Sequence, residues 1–224
     1  MTAVLAAHAD PVIATHRLQA ALLELQQWLK KWRMKANETK SIHVTFTLKR
    51  PTCPSVQLNS AYLVQPADVK YFGIHLDRRL TWRKHITTKW IKLYLQLRKL
   101  HWILGRKSQL SLENRLLVYK AILKPIWTYG VQLWGTASNS NIDILERFQS
   151  KILRIITDAP WYVSNTVIRR DLRVLPVRQE VKNYITYRHR LDNHPNRLAK
   201  TPFPGLTLNL RLKRYYLVDL QTRF

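Results

Sequence analysis

Between Arg78 and Lys124 the chain carries thirteen lysines and arginines and a single acid, Glu113, within 47 residues. Along the same stretch Ile86, Trp90, Leu93, Leu97, Leu100 and Leu104 recur at alternating spacings of four and three, which predicts an amphipathic helix with one buried face. At 100° per residue Lys84, Lys92, Lys99 and Arg106 fall within one arc of ~80° opposite that stripe. One carboxylate cannot neutralise so many cations. The segment must therefore fold with a basic ridge turned to water or to a polyanion, and a phosphate backbone fits such a ridge. The whole chain repeats the bias, with 38 Lys and Arg against 13 Asp and Glu, a net charge of +25 over 224 residues. That excess costs self-repulsion unless an anionic partner is close, nucleic acid first and an anionic membrane surface second.

Other classes of function find little support in the residues. With 46% hydrophobic residues the chain is expected to fold. Its longest uninterrupted apolar run, Ala3 to Ala7, is far short of a membrane span, and no basic stretch precedes it as in a secretory signal. The expectation is an intracellular protein without a membrane partner. The lone cysteine, Cys53, cannot form an internal disulfide or a cysteine-pair metal site. Five glycines leave no phosphate-binding loop of the G-x-G-x-x-G or P-loop type. Two-metal phosphoryl transfer needs converging carboxylates, and the acids here are scattered singly. Asp143 and Glu146 alone share a helix face, beside Arg147, and read as a solvated face. The histidines never form an i, i+4 pair around an acid, so no metal site is predicted.

Composition divides the chain near Asp77. Before it, Thr15 to Trp32 has helical spacing with Gln19, Glu24, Gln26, Gln27 and Lys30 on the polar side. Thr2 to Ala9 reads as a short buried strand. Ser41 to Lys49 reads as a half-buried strand with Ile42, Val44, Phe46 and Leu48 inward. Pro51, Pro54 and Pro66 punctuate extended pieces at Val56 to Leu58 and Tyr62 to Val64, and Val69 to Leu76 reads as a strand carrying Gly73. After it the pattern is helical throughout 78 to 124, with Trp90 on the buried stripe. Further helices are predicted at Ser111 to Leu123, ended by Pro125, at Asn141 to Ile156, and at Val177 to Leu191. The prolines at 195, 202 and 204 mark a loosely attached tail, in which Leu206, Leu208, Leu210 and Leu212 alternate.

Three stretches carry a resemblance. The helix Leu22 to Ser41, closing on Trp28, Trp32, Arg33, Met34, Lys35, Ala36 and then Asn37-Glu38-Thr39-Lys40-Ser41, is similar to the palm segment after the active-site turn in reverse transcriptases of jockey-like non-LTR retrotransposons. Val69-Lys70-Tyr71-Phe72-Gly73-Ile74-His75-Leu76-Asp77, followed by Leu80-Thr81-Trp82, resembles the primer-grip motif and the entry to the thumb of that family, with Phe72 in place of the common leucine. Tyr119-Lys120-Ala121-Ile122-Leu123-Lys124-Pro125, with Tyr129-Gly130, Trp134-Gly135 and the helix Leu145 to Lys151, resembles its thumb.

The resemblance implies an RNA-directed DNA polymerase whose Mg²⁺ ions are held by aspartates in the earlier palm. Those aspartates, the fingers and the first half of the palm have no counterpart here, and Met1 stands where the second aspartate of the turn would end. The expectation is a fragment with no catalytic residue, no metal ligand and no cofactor of its own. The resemblance implies that Lys40 approaches a nucleotide's phosphates and that Tyr71, Phe72 and Gly73 form a primer-grip hairpin, while the spacing of Lys84, Lys92, Lys99 and Arg106 is what makes them candidates for contact with the nucleic-acid backbone. The expected fold class is α+β, a residual palm of one helix and antiparallel strands over 1–77, a mainly helical thumb over 78–193 and a tail over 194–224. The partner implied is an RNA or DNA primer-template, and the location nuclear. The alternative is a stand-alone basic helical module for RNA, DNA or protein with no polymerase role.

Overall fold

The computed structural model describes residues 3–48 and 53–192, and the side chains up to residue 184. The chain divides into two compact units at Leu80 and Thr81, and the fold is α+β. The tail expected over 194–224, with its alternating leucines, lies outside the described residues.

The first unit is built on α1, Pro11–Lys31. It starts earlier than the apolar spacing alone predicts because Pro11 is preset for a first helical turn and the Asp10 carboxylate accepts the Val12 N–H at 2.8 Å. Lys30 and Lys31 sit in the last turn, where cations suit the carbonyl end of the helix dipole. Two short antiparallel ladders follow, β1 (Gln57–Leu58) with β2 (Ala61–Tyr62), and β3 (Asp68–Tyr71) with β4 (Ile74–Asp77). The core of the unit is small. Leu22 packs with Val56, Leu58 and Leu63, with Val4, Leu18, Leu25 and Ala36 at its edge. Gln19, expected on the polar side of α1, instead clamps β1: its carbonyl accepts the Gln57 N–H at 2.8 Å and its amide donates to the Gln57 carbonyl at 3.0 Å.

Two expected strands do not form. Residues 3–8 join no ladder among the described residues, and Ser41 to Leu48 makes a single parallel bridge, Ile42 to Val64. Alternation supplies a face, but a strand needs a partner along its length. The alternation is also out of phase with burial: His43 is enclosed while Ile42 and Phe46 are exposed. The His43 ring meets the Gln65 amide at 2.6 Å between Nδ1 and Nε2, and the same amide donates to the Cys53 carbonyl. Val69 to Leu76, one strand by its pattern and a hairpin by the resemblance, is a hairpin, in which Phe72 and Gly73 both take positive φ, 45° and 75°, and close a two-residue turn.

The second unit is helical. Its elements are α2 (Arg83–Leu104), α3 (Leu112–Val118), α4 (Lys124–Thr128), α5 (Val131–Trp134), α6 (Asn139–Thr157), α7 (Asn165–Asp171) and α8 (Val177–Asp192). Helix α2 packs on α6, and Ile86, Leu93, Leu97 and Leu104 meet a core of Leu145, Phe148, Ile152, Leu153 and Ile156. The helical pattern over 78 to 124 is interrupted by Gly105, whose N–H closes on the His101 carbonyl, and by the turn to Ser111, whose hydroxyl caps α3. Pro125 does not end the next helix. A wide turn over Tyr119–Leu123, in which the Lys124 N–H reaches back five residues to the Tyr119 carbonyl, shifts the hydrogen-bond register, and Pro125 then occupies a first-turn position of α4.

His85 and Gln149 are buried polar side chains of this unit. The Gln149 amide donates to the Tyr119 hydroxyl at 3.1 Å and to the Leu175 carbonyl at 3.0 Å. Burial pushes the Tyr119 phenol up to about 12, so it stays a neutral acceptor. The motif Tyr129-Gly130 and Trp134-Gly135 has a structural cause. Gly130 takes φ 72° to start α5. At Gly135 an added Cβ would lie 2.8 Å from Val181 Cγ1 and 2.6 Å from the Val131 carbonyl oxygen, so the glycine lets α5 approach α8.

Two measurements check this description. Gly135→Ala is expected to destabilise the second unit by about 1–3 kcal/mol through overpacking, read as a lower midpoint in urea unfolding. Burial holds the His43 pKa below its ordinary 6.5, so the unfolded state binds that proton more readily. Stability of the first unit is then complete above pH 6.5 and declines as pH falls below it. Hydrogen exchange of residues 57–77 across that range should show the decline, and His43→Gln should flatten it.

Candidate nucleic-acid interface

Helix α2 turns its apolar stripe to α6 and so leaves the opposite arc outward. Lys84, Lys92 and Lys99 are exposed on that arc. Arg106 is not part of it. The helix ends at Leu104, and Arg106 follows the break at Gly105, where its Nε pairs with Asp158 at 3.2 Å on the surface. The ridge is also less purely basic than its lysine spacing implies. Leu95 and Trp102 occupy the same arc and Ile91 borders it, and the three are 52%, 74% and 47% exposed. Trp90, expected in the core, is partly exposed and stacks on Tyr94 at 6.0 Å. Lys151 of α6 lies over the Tyr94 ring at 5.3 Å, and Lys89 over the Tyr129 ring at 4.8 Å.

In the first unit the tip of the β3–β4 hairpin presents Phe72, 60% exposed, with its ring edge-on to Tyr71 at 4.5 Å. A non-glycine residue at φ 45° is strained, and strain of this kind is held only where the surroundings enforce it. Lys40 ends a single 3₁₀ turn, Glu38–Lys40, whose start is fixed by Asn37: its side-chain oxygen accepts the Lys40 N–H at 3.1 Å. The Lys40 side chain is exposed. Beside it the Asn59 amide bonds the Glu38 carboxylate at 2.6 Å and holds its pKa below the ordinary 4.5.

The acids expected on a solvated face are cross-helix clamps instead. Glu146 pairs with Arg169 of α7 at 2.6 Å, with both side chains 17% exposed, and Asp143 pairs with Arg178 of α8. Glu180 likewise holds Lys124. A solvated face is predicted from one helix alone, and these partners come from later in the chain. Among the described residues no group of three or more His, Cys, Asp or Glu is placed to hold a metal ion. None of their helices is long and apolar enough to cross a membrane.

Sequence reading missed helix α7 and a clamp on the loop that precedes it. Arg154 of α6 spends its guanidinium on the loop that follows: Nε donates to Asn165 Oδ1 at 3.0 Å, Nη1 to the Pro160 carbonyl at 2.9 Å and Nη2 to the Val163 carbonyl. That loop carries Trp161 and Tyr162, the adjacent aromatic pair in the sequence 160–163. Only their adjacency after a proline could have drawn notice.

The sequence has close relatives. Over 98% of its length the chain is 39% identical to the probable RNA-directed DNA polymerase from transposon X-element of Drosophila melanogaster, covering 25% of that protein. Over 95% of its length it is 36% identical to the probable RNA-directed DNA polymerase from transposon BS of Drosophila melanogaster, again covering 25%. The RNA-directed DNA polymerase from mobile element jockey of Drosophila funebris is 35% identical over 95% of the chain and 24% of its own length. These relatives are RNA-directed DNA polymerases of jockey-like transposons, the family that the sequence resembles. The chain spans about a quarter of the length of the curated relatives it matches. No protein-family model and no solved structure matches it. Within this family the exposed lysines of α2 and the Tyr71–Gly73 turn are the features on which a polymer-binding role would rest.

Proposed function

We propose that this chain is the part of a retrotransposon reverse transcriptase that holds the primer-template, with residues 1–80 as the end of the palm and the helical unit from Thr81 as the thumb. The observation that carries the reading is the outward arc of α2, where Lys84, Lys92 and Lys99 are exposed on a helix belonging to a chain of net charge +25. Lysine is a point charge on a flexible stem and suits phosphate without reading bases. Ile91, Leu95 and Trp102 between the lysines give that face apolar contact with sugars. In the first unit the Phe72-Gly73 turn brings backbone and one aromatic ring to the primer, and Lys40 faces the phosphates of an incoming nucleotide. The carboxylates of this chain are committed to ion pairs or scattered, so catalysis requires aspartates from elsewhere in the polymerase, and this chain alone does not extend a primer. Mg²⁺ would be held by those aspartates. A nuclear location belongs to the same proposal.

The exposed Ile91, Leu95 and Trp102 favour a second reading, in which the α2 face docks a protein rather than nucleic acid. Salt titration separates the two. Each phosphate neutralised contributes about −0.9 to the slope of log K against log salt on duplex DNA. Replacing Lys84, Lys92 and Lys99 by alanine should flatten the slope by about two to three units, with the same loss on unrelated duplex sequences. An unchanged slope would assign the face to a protein.

A further inference from the structure

The loop between α6 and α7 holds two large aromatic rings out in solvent on a fixed base. Trp161 is 89% and Tyr162 73% exposed, and their rings meet edge to face at 6.1 Å. Side chains of this size on a mobile loop would collapse onto nearby apolar surface. Here the backbone beneath them is closed by the Val163 N–H to the Pro160 carbonyl at 3.2 Å and clamped on both sides by the Arg154 guanidinium. The same Arg154, with Arg147, Lys151 and Arg169, lines an open cleft beside the loop whose one acid, Glu146, is already paired with Arg169. The loop therefore stands at the rim of a surface with uncompensated positive charge.

We propose that Trp161 and Tyr162 form a stacking platform for unpaired bases, with the strand's phosphates lying in the adjacent basic cleft. The inference rests on the reading of this chain as a nucleic-acid holder, and it adds a second contact, for single strands, separate from the α2 face. Charge complementarity selects the occupant: a polyanion with exposed π faces satisfies both the cleft and the rings, whereas duplex DNA keeps its bases stacked inside. Stacking tolerates any base, so no sequence preference follows.

The test compares the full chain and its Trp161→Ala/Tyr162→Ala variant on a short oligothymidylate, on an abasic strand of equal length and on a duplex, at one salt concentration. Both side chains are exposed, so the variant should unfold at the same temperature as the parent. Expected is a loss of about tenfold in affinity for the oligothymidylate, an unchanged salt slope, unchanged duplex affinity, and equal binding of both proteins to the abasic strand. Trp161→Phe/Tyr162→Phe should retain most of the affinity. Unchanged affinity of the alanine variant for the oligothymidylate would overturn the platform and leave the loop to a protein contact. Equal losses on all three nucleic acids would overturn it too, as a general loss of charge contact. Failure of the lysine substitutions on α2 with success here would refute the primer-template reading of that face alone.

Discussion

The packing of α2 on α6 is the constraint on which the second unit depends. Four apolar residues of α2, Ile86, Leu93, Leu97 and Leu104, are almost wholly removed from water, and burial of that size is worth several kcal/mol in area terms. Because these four fix which side of the helix faces inward, they also fix where Lys84, Lys92 and Lys99 point. A basic surface in this protein is thus a consequence of its core. The other helices follow the same frame. Ion pairs from α6 reach α7 and α8, Gln149 reaches Tyr119, and Gly135 lets α5 close on α8. Pairs such as Glu146 with Arg169 order neighbours more than they add net stability, since desolvation offsets much of the attraction.

The first unit is organised differently. A cluster of four buried apolar side chains and ladders of two and four residue pairs give it a core far smaller than that of the helical unit. Trp28, Trp32, Leu23 and Met34 of α1 and its following turn remain about half exposed. The chain spans about a quarter of the length of its relatives, and exposed apolar residues in such number mark surfaces that bind something. The local devices that do hold this unit are polar: the Asp10 cap, the Gln19 clamp on Gln57 and the His43–Gln65–Cys53 chain.

Residues 83–104, 139–157 and 177–192 were legible as helices because each carries a 3.6-residue apolar repeat, and a helix needs no partner to satisfy its backbone. The segment at Ser41 to Leu48 was misread for the opposite reason: its alternation is real, but the ladder that would make it a strand depends on chain elsewhere. At Val69 to Leu76 the pattern alone read as one strand and the resemblance implied a hairpin, and the positive φ of Phe72 and Gly73 shows how its turn closes. Of the site, the spacing of Lys84, Lys92 and Lys99 sufficed to put them on one face. Arg106 was lost because periodicity counts through a break that Gly105 makes in space. The acids at 143 and 146 and the Arg154 clamp involve partners six to thirty-five residues away, which no apolar repeat contains.

The central claim is that one face of α2, set by the core behind it, meets the phosphate backbone. Amine-selective labelling of the full chain, with and without a primer-template duplex, reads each lysine separately. The account predicts that Lys84, Lys92 and Lys99 lose reactivity together when duplex is added, while Lys120, exposed on the turn before α4, keeps its own. Equal protection of all four lysines, or protection of Lys120 with the α2 lysines still reactive, would contradict it.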